Sequence, residues 1–382
     1  MESHSDIPME QALQILRRVP LIDGHNDWPN FIRGYYDNRL DKRFNEDRDL
    51  AGHVDIKRLC DGKSGGVFWS AYVDCPNPEN DLSDEVHLET IRDTFQQIDL
   101  IHRLIDKYSN ILELVQRSTD ILEIFSRGKV ASMIGVEGLH QVGNSSSILR
   151  NYHRLGVRYI TLTHNRNNKY SDCAKSSQIH GGLSPEGRRM VQEMNRIGLM
   201  IDLSHVSELA TTETINLSQA PVAFTHSSCS ALVPHPRNVS DAVLDMLNIN
   251  NGIIMISFIP DLTHLDPEMS KTNHVVDHII HVGERIGFDY IGIGSDFDGM
   301  EKAVMGLDDV SKFPNLVSCM LSRGIEKENI EKILGYNIIR VLKGVELAAT
   351  RLKGLPVLED HVKQLWNDNF KGWVKSKYPQ AE

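Results

Sequence analysis

The sequence predicts a single α/β domain built as a (β/α)8 TIM-type barrel over about residues 19–345, with a C-terminal extension over about 350–382. Three observations carry that expectation. Eight apolar runs of strand length recur along the chain, most are followed by a helical stretch, and nearly every run ends in a polar, reactive residue. A barrel gathers all its strand ends at one rim. A doubly wound sheet, the alternative architecture, would bring only one or two such loops to a switch point. The 382 residues are enough to bury a large core in one domain, 1–382, and no linker, repeat or low-complexity stretch interrupts them.

The elements follow in order. Met9–Arg18 has the spacing of a short amphipathic helix, and the run Val19, Leu21, Ile22 is the first strand, broken at Gly24. Residues 28–64 are rich in Asp, Arg and Asn and read as a long loop over a site. Gly65–Val73 is the second strand. Asp84–Tyr108 is a long helix with Ile91, Phe95, Ile98, Ile101, Leu104 and Ile105 on one face, so that His87 and His102 read as surface or packing residues. Val130–Val136 is the third strand, ending in Glu137, and Val157–Leu162 the fourth, ending in Thr163 and His164. Ser184-Pro185 opens a helix that Gly198 stops. The fifth strand, Leu199–Leu203, ends in Ser204-His205, and the sixth, Pro221–Phe224, in Thr225-His226. Gly252–Ile259 is the seventh. Tyr290–Gly294 is the eighth, followed by Ser295-Asp296-Phe297-Asp298-Gly299.

Composition narrows the function classes. Hydrophobic content of 40% and charged content of 24% are those of a soluble globular protein, and no run approaches transmembrane length. A net charge of −11 disfavours nucleic acid as a partner, while leaving room for a local arginine to bind an anionic substrate. The five cysteines are scattered without CxxC spacing, which points to reduced thiols. The first twenty residues lack a signal-type apolar core, and the polar tail shows no lipid-anchor signal. The expectation is a cytoplasmic protein with no membrane partner.

His25 and Asp27 stand two residues apart just past a strand end, so in extended chain both point to one side. Alone that spacing says little: His53-Val54-Asp55 repeats it with no strand ahead and reads as a loop or cap. What lifts the first pair is the other strand ends, which supply Glu137, His164, His205, His226 and Asp296. Singly, each has an ordinary structural explanation, such as a satisfied core histidine or a turn aspartate. Together they place metal-capable side chains at the same relative position on different strands. His25, Asp27, Glu137, His205 and His226 suffice for two divalent ions if Glu137 bridges them. Two such ions about 3.5–4 Å apart activate one water and polarise the carbonyl it attacks. The mixed nitrogen and oxygen set favours Zn2+, with Mn2+, Co2+ or Fe2+ as alternatives.

From Val19 to about Val345 the chain resembles the membrane (renal) dipeptidases, binuclear zinc metallopeptidases among the amidohydrolase-like barrels. The likeness rests on the segments Gly24–Asp27, Gly66–Ser70, Gly135–Gly138, Thr161–Asn165, Asp202–Ser207, Thr225–Ser228, Arg237–Val239 and Gly294–Gly299. It implies one zinc on His25, Asp27 and Glu137 and a second on Glu137, His205 and His226. It further implies that His164 steadies the tetrahedral intermediate, that Arg237 grips the substrate carboxylate, and that Asp296 passes a proton to the leaving amine. A homodimer is implied in the same way, as is a small peptide or peptide-conjugate substrate, with Cys-Gly and glutathione-derived S-conjugates as candidates. Soluble members of the family also occur in fungi, some in pathways that trim glutathione adducts of sulfur-containing metabolites, and the missing signal and anchor suggest that context. The chain also departs from the family's animal members, which are secreted and disulfide-bonded. Cys75 resembles half of a family disulfide, but Arg166 stands about where its partner would be, leaving Cys173 as a candidate. Ile259 falls where a substrate-facing tyrosine is expected. Two other readings stay open: a barrel amidohydrolase acting on a lactam or other non-peptide amide, which usually begins with His-x-His, and a non-catalytic metal-dependent binding protein. Intact Asp296 and His164 weigh against the latter.

Overall fold

A computed structural model describes residues 6–77, 81–362 and 364–381. Its strands are β1 (Leu21–Asn26), β2 (Ser64–Ala71), β3 (Leu112–Leu114), β4 (Val130–Val136), β5 (Val157–Thr161), β6 (Met200–Asp202), β7 (Ala223–Ser227), β8 (Ile253–Ile256) and β9 (Ile291–Ile293). They pair in parallel in the order β2-β1-β9-β8-β7-β6-β5-β4, and β4 returns to β2, closing a ring of eight. The eight closing strands are those the sequence predicts, with shifted ends: β1 runs through Gly24 to Asn26 instead of breaking at the glycine, so His25 lies within it, and β7 continues past Phe224 to Ser227. The short β3 lies outside the ring, paired with the first residues of β4. Three residues are too few to stand out as a periodic run.

Closure pairs the eight ring strands on both edges and buries nearly all of their residues on both faces, so these strands are mostly apolar rather than alternating. The period of two instead sorts side chains between two cores. Ile22, Phe68, Met133, Tyr159, Met200, Ala223 and Met255 pack inside the ring. Their neighbours Leu21, Val67, Trp69, Ile134, Ile160, Ile201 and Ile254 face the helices. The helix Asn337–Leu352 plugs one end of the ring with Ile338, Val341, Leu342 and Val345.

Helix boundaries follow their end chemistry. Ser184 accepts the Gly187 N–H at the start of the helix Pro185–Ile197, and Gly198, at φ 80°, ends it in the left-handed region. Two expectations need correction. The first helix spans Asp6–Leu16 rather than Met9–Arg18. Residues 28–64 are no plain loop: they contain helices Trp28–Tyr35 and Ile56–Asp61, and Trp28, Ile32, Phe44, Val54 and Leu59 are buried. Their apolar residues are spread thinly among charges, which hid the pattern. His53-Val54-Asp55 does have the plain role: Asp55 caps the second of these helices by accepting the Arg58 N–H.

The C-terminal extension leaves the plugging helix and crosses the barrel's outer surface. There the Asp360 carboxylate accepts the N–H groups of Ser146 (2.6 Å) and Ser147 (3.1 Å) and the Ser145 hydroxyl (2.7 Å), at the start of the helix Ser146–Arg154. Beyond it the helix Asp368–Lys377 has no buried residue.

Candidate active site

β1 delivers His25 and then Asp27 to the rim. Asp23 within the strand anchors the turn after β9, accepting the Ser295 N–H (2.7 Å) and hydroxyl (2.6 Å), while the Asp296 N–H donates to the His25 carbonyl (3.0 Å). Asp296 thereby arrives over β1, at φ 63°, and His205 beyond β6 sits at φ 67°. Left-handed backbone at non-glycine residues is costly and clusters at sites that need a particular aim.

Every residue predicted for the site converges. Glu137, at the end of β4, divides its carboxylate. Oε2 lies 3.7 Å from His25 Nε2, whereas Oε1 lies 3.1 Å from His205 Nε2, 3.4 Å from His226 Nε2 and 3.8 Å from His164 Nε2. The same His25 Nε2 is 3.1 Å from Asp27 Oδ2 and 3.7 Å from Asp296 Oδ1. All these side chains are buried or nearly so.

Residues the sequence reading did not single out set the direction of the imidazoles. His226 Nδ1 is 3.0 Å from Thr225 Oγ1, whose hydroxyl donates to Asp202 Oδ2 at 2.8 Å. The threonine proton being committed, His226 must donate from Nδ1, which leaves a bare lone pair on Nε2. His205 Nδ1 is likewise 3.2 Å from Asn165 Oδ1, and the two Nε2 atoms face each other at 3.0 Å. His25 Nδ1 is 2.8 Å from the Tyr159 hydroxyl. Only Asp202 had a local signal, a lone carboxylate in an apolar strand; Tyr159 looked like ordinary barrel filling.

The electrostatics match a cation site. Burial, followed by the charges of Arg237 and neighbouring histidines, holds His205 and His226 well below the ordinary imidazole range, and both are neutral. Burial also opposes a charged His25, but Asp27 and Glu137 overcome it and raise its pKa to about 10. Burial lifts Glu137 well above the usual carboxylate range, His25 opposing and Asp27 adding. Asp296 is pushed up to about 7 by burial, against His25 and with Asp27. Two bare imidazole nitrogens face to face, three clustered carboxylates and an Asp27 Oδ1 with no hydrogen-bond partner among the described residues form a donor set that divalent metal ions fit. His164 and Asp296 also lie within ligand distance of these groups.

An open cleft of about 1190 Å³ leads to this cluster. Arg237 enters it from the loop after β7, buried, its guanidinium making, among the described residues, only long hydrogen bonds to Ser227 Oγ (3.5 Å) and the His226 carbonyl (3.4 Å). His164 packs edge-on against Tyr72 and is kept neutral by burial and then by His140 and Arg237.

The family model for membrane dipeptidases, peptidase family M19, matches residues 9–355. The chain belongs to this family. It is 57% identical over 397 residues to dipeptidase tcpJ of Claviceps purpurea (strain 20.1), covering 98% of this chain and 93% of that one. Dipeptidase verJ of Clonostachys rogersoniana is 47% identical, covering 97% and 96%. Among solved structures, dipeptidase AC, a family M19 metallopeptidase, matches with a TM-score of 0.78 at 25% identity, covering 86% of this chain and 99% of its own. The probable dipeptidase PvdM from Pseudomonas aeruginosa shares the fold, with a TM-score of 0.81 at 21% identity over 90% of this chain and all of its own. As a member of the membrane dipeptidase family the chain is a metal-dependent dipeptide hydrolase on a (β/α)8 barrel. Its cysteines Cys75 and Cys173 are both free thiols. At the position where the family disulfide was expected, Arg166 Nη1 instead donates to the Pro76 carbonyl (2.6 Å) and Asn77 Oδ1 (3.0 Å), and Cys173 is held in a bridge to Val206.

Proposed function

We propose that this dipeptidase cleaves dipeptides bearing a free C-terminal carboxylate, with two divalent ions, zinc foremost, held per chain. His25, Asp27 and Glu137 would hold one ion and Glu137, His205 and His226 the other. The single observation that carries this reading is the split of Glu137, one oxygen toward His25 and the other toward His205 and His226. Bound ions would lower the pKa of a shared water and polarise the scissile carbonyl.

The chain's own residues do the rest. Arg237 offers an under-satisfied guanidinium whose fork matches a terminal carboxylate. Neutral His164 keeps an N–H with which to steady developing negative charge on the carbonyl oxygen. Asp296, buried beside the cluster with Oδ1 3.7 Å from His25 Nε2, stands where it can deliver a proton to the departing amine.

The cleft supports a bulky N-terminal residue, such as Cys-Gly carrying an S-conjugate derived from glutathione in secondary metabolism. Its volume exceeds the about 300–1,000 Å³ typical of drug-sized ligands, and Ile259, Leu262, Met300 and Met305 give it an apolar wall. Five free thiols agree with a cytoplasmic enzyme, and among the described residues no helix is long and apolar enough to cross a membrane. A homodimer rests on family resemblance alone.

A double comparison of Arg237→Ala with dipeptide amides tests the reading. Wild-type enzyme should cleave free dipeptides about 10²-fold better than their C-terminal amides, and Arg237→Ala should erase most of that gap. Equal cleavage of acid and amide by the wild type, or equal loss of both in the variant, contradicts it.

A further inference from the structure

Arg237 is not the only basic side chain lining its cleft. Lys175 and His235 line the same cavity. The Arg237 N–H donates to His235 Nδ1 at 3.1 Å, and after burial it is Lys175 and then Arg237 that lower the His235 pKa, with Asp261 opposing them more weakly. Lys175 also bears on His164. It forms no hydrogen bond or ion pair with any described residue, although Asp261, Glu268 and Glu301 line the same cleft. Its backbone is nevertheless fixed. On one side the Cys173 N–H donates to Asn167 Oδ1 (2.8 Å) and the Ala174 N–H to the His205 carbonyl (2.8 Å); on the other Asn167 Nδ2 donates to the Ser177 carbonyl (2.7 Å). An exposed lysine on a cleft wall, with no carboxylate partner among the described residues, is placed for an anion that arrives with the substrate.

In the proposed reading Arg237 takes the terminal carboxylate, which leaves Lys175, lining the same cavity, available for a second negative group. We propose that Lys175, with His235 beside it, forms a second anion subsite, and that this enzyme favours dipeptides whose C-terminal residue carries a side-chain carboxylate. The proposal rests on the dipeptidase reading and adds a substrate class to it.

The test compares kcat/KM for alanyl-glutamate and its neutral isostere alanyl-glutamine, with alanyl-alanine as reference, on metal-loaded enzyme. The acid should be preferred about two- to fivefold over the amide, the size expected of one exposed charge pair, and raised salt should shrink the preference. Lys175→Met should bring the ratio near one, and Lys175→Glu should carry it below one. Metal content and circular dichroism confirm that each variant is folded and loaded. A wild type that prefers the glutamine substrate, or a Lys175→Met variant that keeps the glutamate preference, overturns the subsite while leaving the dipeptidase reading intact. Failure to cleave any of the three, alanyl-alanine included, overturns both.

Discussion

At the scale of single residues, the position of Glu137 makes one substitution especially informative. Because its oxygens serve opposite sides of the cluster, Glu137→Gln should weaken both metal positions together, by about 10–100-fold in affinity. Metal analysis should find about two ions per wild-type chain and both diminished in the variant. A variant that retains one ion at full strength shows that Glu137 does not join the two positions. The residues that meet here were legible in sequence because imidazoles and carboxylates at strand ends are chemically conspicuous. Those that aim them were not. Tyr159 and Thr225 are ordinary strand residues until their hydroxyls are seen against His25 and His226. Lys175, in a polar loop, gave no signal at all.

At the scale of the element, the strands were readable because barrel strands are buried on both faces and appear as unbroken apolar runs. The segment between β1 and β2 was not, since Trp28, Ile32 and Leu59 are scattered through a charged stretch and become core only when two short helices gather them. Neighbouring strands also constrain one another. A Cβ on Gly135 of β4 would lie 2.1 Å from Tyr159 Cζ and 2.5 Å from its hydroxyl oxygen, on β5. The Tyr159 ring is fully buried and has no room to retreat. Gly135→Ala should therefore destabilise the protein by about 1–3 kcal/mol and, by displacing the hydroxyl from His25, reduce metal affinity as well. Thermal unfolding and metal titration measure the two losses. Unchanged metal affinity in a destabilised variant would separate Tyr159 from the site.

At the scale of the whole molecule, the C-terminal extension is tied to the barrel through the Leu358 backbone, which bonds Ser146, Arg150 and Glu193, and through the Asp360 carboxylate. Burial alone would raise the Asp360 pKa, but the donors of Ser146, Ser147 and Ser145 hold it well below the ordinary range. A depressed folded-state pKa stabilises fully above the unfolded value, about 3.9 for aspartate, and that contribution fades as pH falls through the folded one. The extension should thus be clasped at neutral pH and loosen only in strong acid, and Asp360→Asn should loosen it by about 1 kcal/mol at neutral pH, the difference vanishing once the aspartate is protonated. Hydrogen exchange at the Ser146 and Ser147 amides should report both effects, and protection that persists in the variant would rule the clasp out. The left-handed backbone of His205 and Asp296 has a reach of its own. Each conformation costs about 1 kcal/mol or more, a cost that glycine would relieve. Selection for heat resistance alone would therefore erase these two side chains early, and a laboratory lineage evolved without an activity screen should drift toward a sturdier, inert barrel.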